Sequence, residues 1–158
     1  MSELKIRALT EKDLDAVVEI DRKVLGKPRA EYWKRKIGLA DIYPRPALVA
    51  EIDGDVVGFI LGYVSGWEFG VPDTVGWIDT IGVDPDYQHR GIGKRLFKEL
   101  VENFKRTGTV AQPEAKNISI KGVNVVYTLV KWNDWSLLRF FHEVGFQKGE
   151  MISLELKL

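Results

Sequence analysis

The stretch that decides the fold reads Val83-Asp84-Pro85-Asp86-Tyr87-Gln88-His89-Arg90-Gly91-Ile92-Gly93-Lys94-Arg95. A predicted strand ends at Val83, a turn containing proline follows, and two glycines open the strongest predicted helix. That helix is predicted over Gly91 to Arg106, because apolar residues recur there at steps of four: Ile92, Leu96, Leu100 and Phe104. The stretch is therefore a strand, a glycine-containing turn and a helix in direct succession.

This succession favours phosphate binding. Gly91 and Gly93 let the main chain come close to a ligand, because neither carries a Cβ. The first N–H groups of a helix have no partner within it, and the positive end of the helix dipole lies behind them. The segment from Gln88 to Lys98 has no acidic residue and carries four basic ones, Arg90, Lys94, Arg95 and Lys98. In a chain of zero net charge, this local excess suits a multiply phosphorylated ligand.

Two well-known phosphate motifs do not fit this turn. A P-loop requires a glycine where Gln88 stands and a serine or threonine where Arg95 stands. A dinucleotide-binding fingerprint requires a third glycine where Leu96 stands. Without further context, a Gly-x-Gly pair is also compatible with a structural turn into a solvated helix.

Outward from this stretch, alternation and helical periodicity predict the rest of the fold. The expected strands cover 4–9, 47–52, 56–63, 75–83, 123–130 and 151–158, and the expected helices lie around 14–25, 30–39, 91–106 and 135–144. A turn at Asp53-Gly54-Asp55 indicates that the second to fourth strands form an antiparallel meander. The order β-α-α-β-β-β-α-β-α-β indicates an α+β (mixed α/β) fold with one main sheet. Residues 1–158 are expected to form a single domain.

Composition narrows the function classes. Hydrophobic residues make up 45% and charged residues 29% of the 158, as in an ordinary globular domain. Equal numbers of basic and acidic residues, 23 each, argue against a general nucleic-acid binder. The absence of cysteine excludes thiolate catalysis, and two distant histidines predict no metal site. A polar N-terminus and the lack of any apolar run of roughly 20 residues predict no membrane association and a cytoplasmic location.

Two segments together resemble a known family. Gln88-x-x-Gly91-x-Gly93 resembles [R/Q]-x-x-G-x-[G/A], the acyl-CoA signature of the GNAT superfamily of N-acetyltransferases. The segment 132–146, in which a short helix ends in Gly145-Phe146, is similar to the second conserved block of that family. The order of elements matches over nearly the whole chain. The resemblance implies a GNAT-like fold, a mostly antiparallel central sheet flanked by helices, and the transfer of an acetyl group from acetyl-CoA to an amine.

The resemblance also implies which residues bind acetyl-CoA. The fourth and fifth strands are expected to separate, with the thioester in the gap and main-chain groups of Ile81, Gly82 and Val83 holding the pantetheine arm. The pyrophosphate would lie on the signature loop: Gln88, His89, Arg90, Gly91, Ile92, Gly93 and Lys94. Asn133 and Asp134 are expected to contact the cofactor at the start of the last helix, and spacing from Gly145 favours Asp134.

One position departs from the family. Four residues before the glycine of Gly-Phe, the family commonly has a tyrosine that protonates the departing thiolate, and this chain has Phe141. Phe141 is still expected to lie against the cofactor, but it cannot donate a proton. A thiol has a pKa near roughly 8.5, so its thiolate is a tolerable leaving group without acid help. Tyr127 and Tyr87 are substitute donors, although Tyr127 is better explained by packing.

The remaining catalytic roles are less sharply predicted. The main-chain N–H near Val83 is expected to stabilise the oxyanion. Asp79, a carboxylate in an otherwise apolar strand, is the best candidate for the base that takes a proton from the amine, and a purely structural role is equally compatible. Glu51 and Glu68 are weaker candidates. His89 and His142 are expected at the surface.

The acceptor remains open between a small molecule and a peptide amine. The family builds the acceptor pocket from the first two helices and one loop, which correspond to 25–39 and 66–73. A homodimer is expected because dimers are common in the family. The substitution at Phe141 motivates an alternative, a non-catalytic acyl-CoA-binding or sensing module. A nucleotide-binding regulatory domain is a weaker third interpretation.

Overall fold

The computed structural model describes residues 3–38, 46–65, 75–106 and 123–158. Its sheet has five strands in the order of the sequence, β1 (Leu4–Ala8), β2 (Ala47–Ile52), β3 (Asp55–Ser65), β4 (Val75–Val83) and β5 (Val125–Thr128). The first three pairings are antiparallel and the fourth, between β4 and β5, is parallel. The predicted α+β class, the meander and the mostly antiparallel sheet are therefore confirmed. The predicted loops at 66–73 and 109–121 lie outside the described residues.

Helices cover both faces of this sheet. The described helices are α1 (Leu14–Leu25), α2 (Ala30–Gly38), α3 (Ile92–Arg106) and α4 (Trp135–Glu143). Side chains of a strand alternate between its two faces, so neighbours on β3 enter different cores. Phe59 packs with α1 and α2 through Val17 and Trp33, whereas Ile60 packs with α3 through Leu96. The sheet, including β4 and β5, thus lies between two separate apolar layers.

An arginine joins the start of the chain to the sheet. The Arg7 guanidinium donates to both carboxylate oxygens of Asp13 at 2.8 Å and to Glu51 at 2.7 Å. Thr10 donates to the same Asp13 carboxylate through its N–H and its hydroxyl, at 2.8 and 3.1 Å. The hydrogen bonds from Arg7 lower the pKa of Asp13, against the raising effect of burial. This cluster fixes β1 against the entry to α1.

The predicted final strand over 151–158 is wrong. None of these residues belongs to a strand, and the exposed fractions of Ile152, Leu154 and Leu156 are 78%, 85% and 84%. Alternation alone names no partner strand, and a strand exists only where a neighbour accepts its hydrogen bonds. The fifth strand is also shorter than expected, since its pairing covers only Val125–Thr128.

No helix in the described ranges has both the length and the apolar character needed to cross a membrane. No group of three or more histidine, aspartate or glutamate side chains in these ranges is placed to hold a metal ion.

Candidate active site

The strand β4 leaves its neighbour β5 halfway along its length. Pairing between them covers Val75–Ile78 and Val125–Thr128, after which β4 continues to Val83 paired only with β3 in the described part of the chain. The register with β3 shifts between Thr80 and Ile78, so Asp79 is the extra residue of a β-bulge. The predicted separation of the fourth and fifth strands is therefore present, and it begins at Asp79.

The main chain of β4 presents N–H groups to this opening. The N–H of Asp84 donates to the carbonyl of Val57 on β3 at 2.9 Å. Because N–H groups alternate in direction along a strand, those of Val83 and Ile81 point away from β3 and toward the opening. The Val83 carbonyl accepts from the Gln88 side chain at 3.0 Å, which ties the turn to the strand end. Two N–H groups on one extended edge suit an amide-bearing chain laid along it.

Gly82, predicted as a third main-chain contact, has a packing role in the structure. By the same alternation its N–H faces β3. A Cβ at Gly82 would lie 2.6 Å from the Phe59 ring, so the glycine makes room for the apolar layer under α1 and α2. Of the three predicted contacts, Ile81 and Val83 face the opening.

The turn before α3 forms a backbone cradle. His89 and Gly91 both have left-handed φ, +62° and +77°, on either side of Arg90. Successive residues in such conformations turn several N–H groups to one side, which creates an anion-binding concavity. A Cβ at Gly91 would meet no atom within 4 Å, so the space in front of this turn is open. The N-terminus of α3 follows directly at Ile92, and the cradle therefore fits a pyrophosphate.

Gly93 and Ile92 contribute to the cradle through packing. A Cβ at Gly93 would lie 3.1 Å from the Phe140 ring, so the absence of a side chain lets α3 approach α4. The Ile92 side chain is buried in the core under α3, which leaves only its main chain for a ligand.

The turn is held in place from outside. Lys23 of α1 contacts Asp84 at 2.7 Å, and the other Asp84 oxygen accepts the N–H of Asp86 at 3.0 Å. Burial would raise the pKa of Asp84, but these two hydrogen bonds outweigh it and leave the pKa lowered. Arg90 donates to the Asp86 carbonyl at 3.0 Å and lies over the Tyr87 ring. Contacts within the chain therefore fix the shape of the cradle.

Lys94 contacts Glu143 on α4 at 2.8 Å, with both side chains about half exposed. The hydrogen bond from Lys94 lowers the pKa of Glu143. An exposed pair of this kind contributes little to stability, so a phosphate can replace the carboxylate at small cost. Arg95 and Lys98 are exposed on the same helix and add positive charge near the cradle.

The candidate base lies at the apex of the opening, against α2. The Asp79 carboxylate forms an ion pair with Lys36, and both side chains are about four-fifths buried. Tyr32, one helical turn before Lys36, is a further neighbour of Asp79. Burial, then the Asp79 charge, raise the pKa of Tyr32. Asp79 thus sits beside the point where β4 and β5 separate, with a cation and a neutral hydroxyl to hold it.

A second ion pair supports this cluster from α1. Arg29 donates to both oxygens of the buried Asp21 at 2.8 Å and stacks over the Tyr32 ring at 4.3 Å. The range 25–39 predicted for the acceptor pocket contains both Tyr32 and Lys36, but the sequence analysis assigned no role to Lys36. Their spacing of four residues was the available signal, since residues four apart share one face of a helix.

The other candidate bases are placed elsewhere or occupied. The Glu51 carboxylate accepts from Arg7 at 2.7 Å. Glu68 lies outside the described residues. His89 and His142 are exposed, as expected. The Tyr127 ring packs 5.3 Å from the Trp77 ring, which supports a packing role.

The second conserved block is mainly structural. Phe141 is 4% exposed and packs 5.0 Å from the Phe146 ring, so it fills the core at the position where the family has its acid. Asp134 caps α4, because its carboxylate accepts the N–H of Leu137 at 3.0 Å. Asn133 is exposed beside it.

Comparisons with known proteins agree with the resemblance to the GNAT family. Residues 14–118 match the family model described as "Acetyltransferase (GNAT) family". A relative from Methanocaldococcus jannaschii, named "Uncharacterized N-acetyltransferase MJ1530", is 31% identical over 93% of this chain and 80% of its own length. The "N-alpha-acetyltransferase RimI" of Mycobacterium tuberculosis is 36% identical over 58% of this chain and 48% of its own.

A solved structure has the same fold. It is the aminoglycoside N-acetyltransferase AAC(6')-Iy in complex with a bisubstrate analogue, CoA-S-monomethyl-acetylneamine. Its TM-score to this chain is 0.78 at 14% identity, and the match covers 99% of each chain. The likeness establishes the fold, and the bound analogue joins CoA to an acceptor in that relative.

Proposed function

Since this chain belongs to the GNAT acetyltransferase family and is an acetyl-CoA-dependent N-acetyltransferase, we propose that its single domain, residues 1–158, transfers the acetyl group by direct attack of a primary amine. The observation that carries this proposal is the opening between β4 and β5. It joins main-chain donors at Ile81 and Val83, a phosphate cradle at one end and a held carboxylate, Asp79, at the other. Acetyl-CoA supplies the reactive acetyl thioester.

On the donor side, the chain binds and orients acetyl-CoA. The N–H groups of the cradle hold the pyrophosphate, and the exposed edge of β4 aligns the arm that follows it. The Val83 N–H is proposed to receive the developing negative charge on the carbonyl oxygen, since it points into the opening and its own carbonyl is already bound by Gln88. Fixed donors of this kind cost no reorganisation during the reaction.

On the acceptor side, Asp79 is proposed to accept the proton that the amine must lose. An amine of a lysine side chain has a pKa of about 10.4 and an α-amino group about 7.7–8, so most acceptors arrive protonated. Lys36 holds the carboxylate at the edge of the opening, beside Tyr32, where an incoming amine can approach it. This places the amine nitrogen on the α1–α2 side of β4.

The departing thiolate is proposed to leave without a side-chain acid. Phe141 has no proton to donate, and its ring is buried in the core. Acid help is worth little for a leaving group with a pKa near roughly 8.5. Positioning and oxyanion stabilisation then account for most of the rate.

Protein α-amino groups and aminoglycosides are two acceptor classes to compare directly. One relative is named for the α-amino group of proteins, and one structural neighbour for aminoglycosides. We propose a small-molecule or peptide primary amine, and a panel of N-terminal peptides, lysine peptides, polyamines and aminoglycosides tests it by release of CoA. Direct transfer predicts that both substrates must be bound before any CoA appears, so initial-rate plots intersect. Parallel plots with an acetylated protein would contradict direct attack.

The burial of Phe141 also supports a second function, a non-catalytic acyl-CoA-binding module. This alternative predicts that acetyl-CoA binds, while no amine in the panel releases CoA above the background rate. Turnover with any acceptor, lost in Asp79→Asn, excludes it.

Two further properties belong to this proposal. We propose a homodimer, because apolar side chains along and after β5 are uncovered, including Leu129, Trp132 and Trp135 at 71–80% exposure. We also propose a cytoplasmic location, which the composition supports and cell fractionation tests.

A further inference from the structure

A primary amine of the chain itself lies where the acceptor's amine is proposed to react. The Lys36 ammonium contacts the Asp79 carboxylate, and its nitrogen lies 5.3 Å from the centre of the Tyr32 ring. The side chain of Lys36 is 21% exposed, whereas that of Lys34 on the same helix is 58% exposed. Lys36 is therefore held against the proposed base, at the place where β4 and β5 separate.

A lysine in this position has the features of an internal acceptor. A lysine amine attacks a thioester carbonyl only after it loses a proton, and a carboxylate in contact with it can take that proton. The four-carbon stem of lysine is flexible, so the nitrogen can leave Asp79 and turn into the opening. A group on the protein that binds the thioester also reacts at a high effective concentration.

We propose that Lys36 is a modification site, which the enzyme acetylates itself when acetyl-CoA is bound and no acceptor is present. The Lys36 nitrogen attacks the acetyl carbonyl, a C–N bond forms, and the C–S bond to CoA breaks. Asp79 takes one proton from the ammonium and passes it to water. The second proton lost from the nitrogen goes to the leaving thiolate, so the products are acetylated Lys36 and CoA. This inference rests on the proposed function, because it uses the same base and the same opening.

The modification has a consequence for activity. Acetylation removes the positive charge of Lys36 and with it the ion pair to Asp79. The rate of transfer to an external amine should then fall by about tenfold, the equivalent of one charge-assisted hydrogen bond. An external amine beside Asp79 keeps Lys36 away from the thioester. The enzyme is therefore slowed when acetyl-CoA is abundant and its acceptor is scarce.

The test follows acetylation of the purified protein in an amine-free buffer that contains acetyl-CoA. Fragment masses locate the acetyl group on Lys34 or Lys36 over time. Lys36→Arg removes the proposed site, and Lys34→Arg is the matched control, because each replaces one amine of α2 and keeps its charge. Asp79→Asn removes the base, and denatured wild type reports the intrinsic reactivity of each lysine. Circular dichroism checks that the variants are folded.

We expect acetylation of Lys36 in the folded wild type to be at least about tenfold faster than that of Lys34, although Lys34 is the more exposed. The two rates should be similar in the denatured chain. The rate constant at Lys36 should not depend on protein concentration, since the transfer is within one molecule. Lys34→Arg should keep the modification, and Asp79→Asn should slow it at least about tenfold.

Several results would overturn the inference, and they separate it from the proposed function. Lys36 modified no faster than Lys34, or equally fast in Asp79→Asn, overturns self-acetylation. Release of CoA with an external amine, while Lys36 stays unmodified without one, overturns self-acetylation and leaves the proposed function in place. Neither CoA release with any amine nor modification of Lys36 overturns both.

Discussion

The two sides of the opening between β4 and β5 are built in different ways. On the donor side, the groups proposed to bind acetyl-CoA lie mainly in one run of sequence, from Ile81 to Lys94. On the acceptor side, the cluster around Asp79 draws Asp21 and Arg29 from around α1 and Tyr32 and Lys36 from α2. Main-chain N–H groups dominate the first side, and charged side chains dominate the second.

The two sides differ in how far they depend on particular side chains. A main-chain cradle recognises a phosphate whatever the neighbouring side chains are, so it can be kept while the acceptor changes. Ion pairs depend on each partner, and a single substitution on α2 alters the charge that an amine meets. The donor side therefore identifies the reaction, and the acceptor side selects the amine.

The largest effect is expected on the acceptor side. Asp79→Asn removes the proposed base, so kcat should fall by about 10²–10⁴-fold, because proton removal contributes on that scale. The dissociation constant for acetyl-CoA should change little. Steady-state rates and calorimetric titration measure the two quantities on one sample. A kcat within a few-fold of the wild type would show that Asp79 is structural.

The next effect belongs to the donor side. Gly91→Val forces a β-branched residue into φ +77° and displaces the cradle N–H groups, so acetyl-CoA binding should weaken by about 10- to 100-fold. Gly26→Val is the matched control, since Gly26 has φ +78° and equally open surroundings at the end of α1. Both should lose about 1–3 kcal/mol of stability from backbone strain. If Gly26→Val weakens binding as much, the cradle has no special role.

A third change lies outside both sides and should affect stability alone. Asp13→Asn removes the charge held by Arg7 and should cost about 1–3 kcal/mol at neutral pH. Because the folded-state pKa of Asp13 is lowered, its contribution is present above the ordinary value of 3.8 and lost as pH falls through the folded value. The gap between variant and wild type should therefore narrow on acidification below about pH 4. Urea unfolding at pH 7 and pH 3 measures it, and a constant gap contradicts the assignment.

Substitutions at Lys36 test how the acceptor side holds Asp79. Lys36→Met leaves Asp79 without its cation, and kcat should fall by about tenfold, the equivalent of one charge-assisted hydrogen bond. Lys36→Arg should recover most of the rate because it keeps the charge. Acetyl-CoA affinity should be unchanged in both. A loss in the arginine variant equal to that in methionine would indicate packing rather than charge.

The smallest effect is expected at Lys94. Lys94→Ala should weaken acetyl-CoA binding only two- to fivefold at physiological salt, because its exposed ammonium is screened. The deficit should shrink further as salt is raised. A loss larger than that of Gly91→Val would mean that side-chain charge, not the main chain, holds the phosphates.

The contrast between the donor and acceptor sides also explains which features the sequence could predict. The helix from Ile92, the turn before it and the meander follow from local rules of periodicity and turn chemistry, and the structure agrees with them. The contact between Lys36 and Asp79 joins residues 43 positions apart, as the numbering shows, and no local pattern implies it. The prediction of a strand over 151–158 was wrong for a related reason. These residues alternate as strand residues do, but a strand also needs a partner, and its own residues do not specify one.

Single residues of the predicted site also have packing or capping roles that the sequence did not indicate. Gly93, predicted to let a ligand approach, also lets α3 approach Phe140. Asp134 was chosen for cofactor contact and is found capping α4. In both cases the residue type allowed two explanations, and only packing in three dimensions separates them.

Calorimetric titration of the folded wild-type chain with acetyl-CoA, against ATP and NAD as controls, tests the central claim most directly. The account predicts micromolar binding of acetyl-CoA, no comparable binding of ATP or NAD, and binding about 10- to 100-fold weaker in Gly91→Val but not in Gly26→Val. No binding of acetyl-CoA to the folded wild type, or equal binding of ATP, would contradict it.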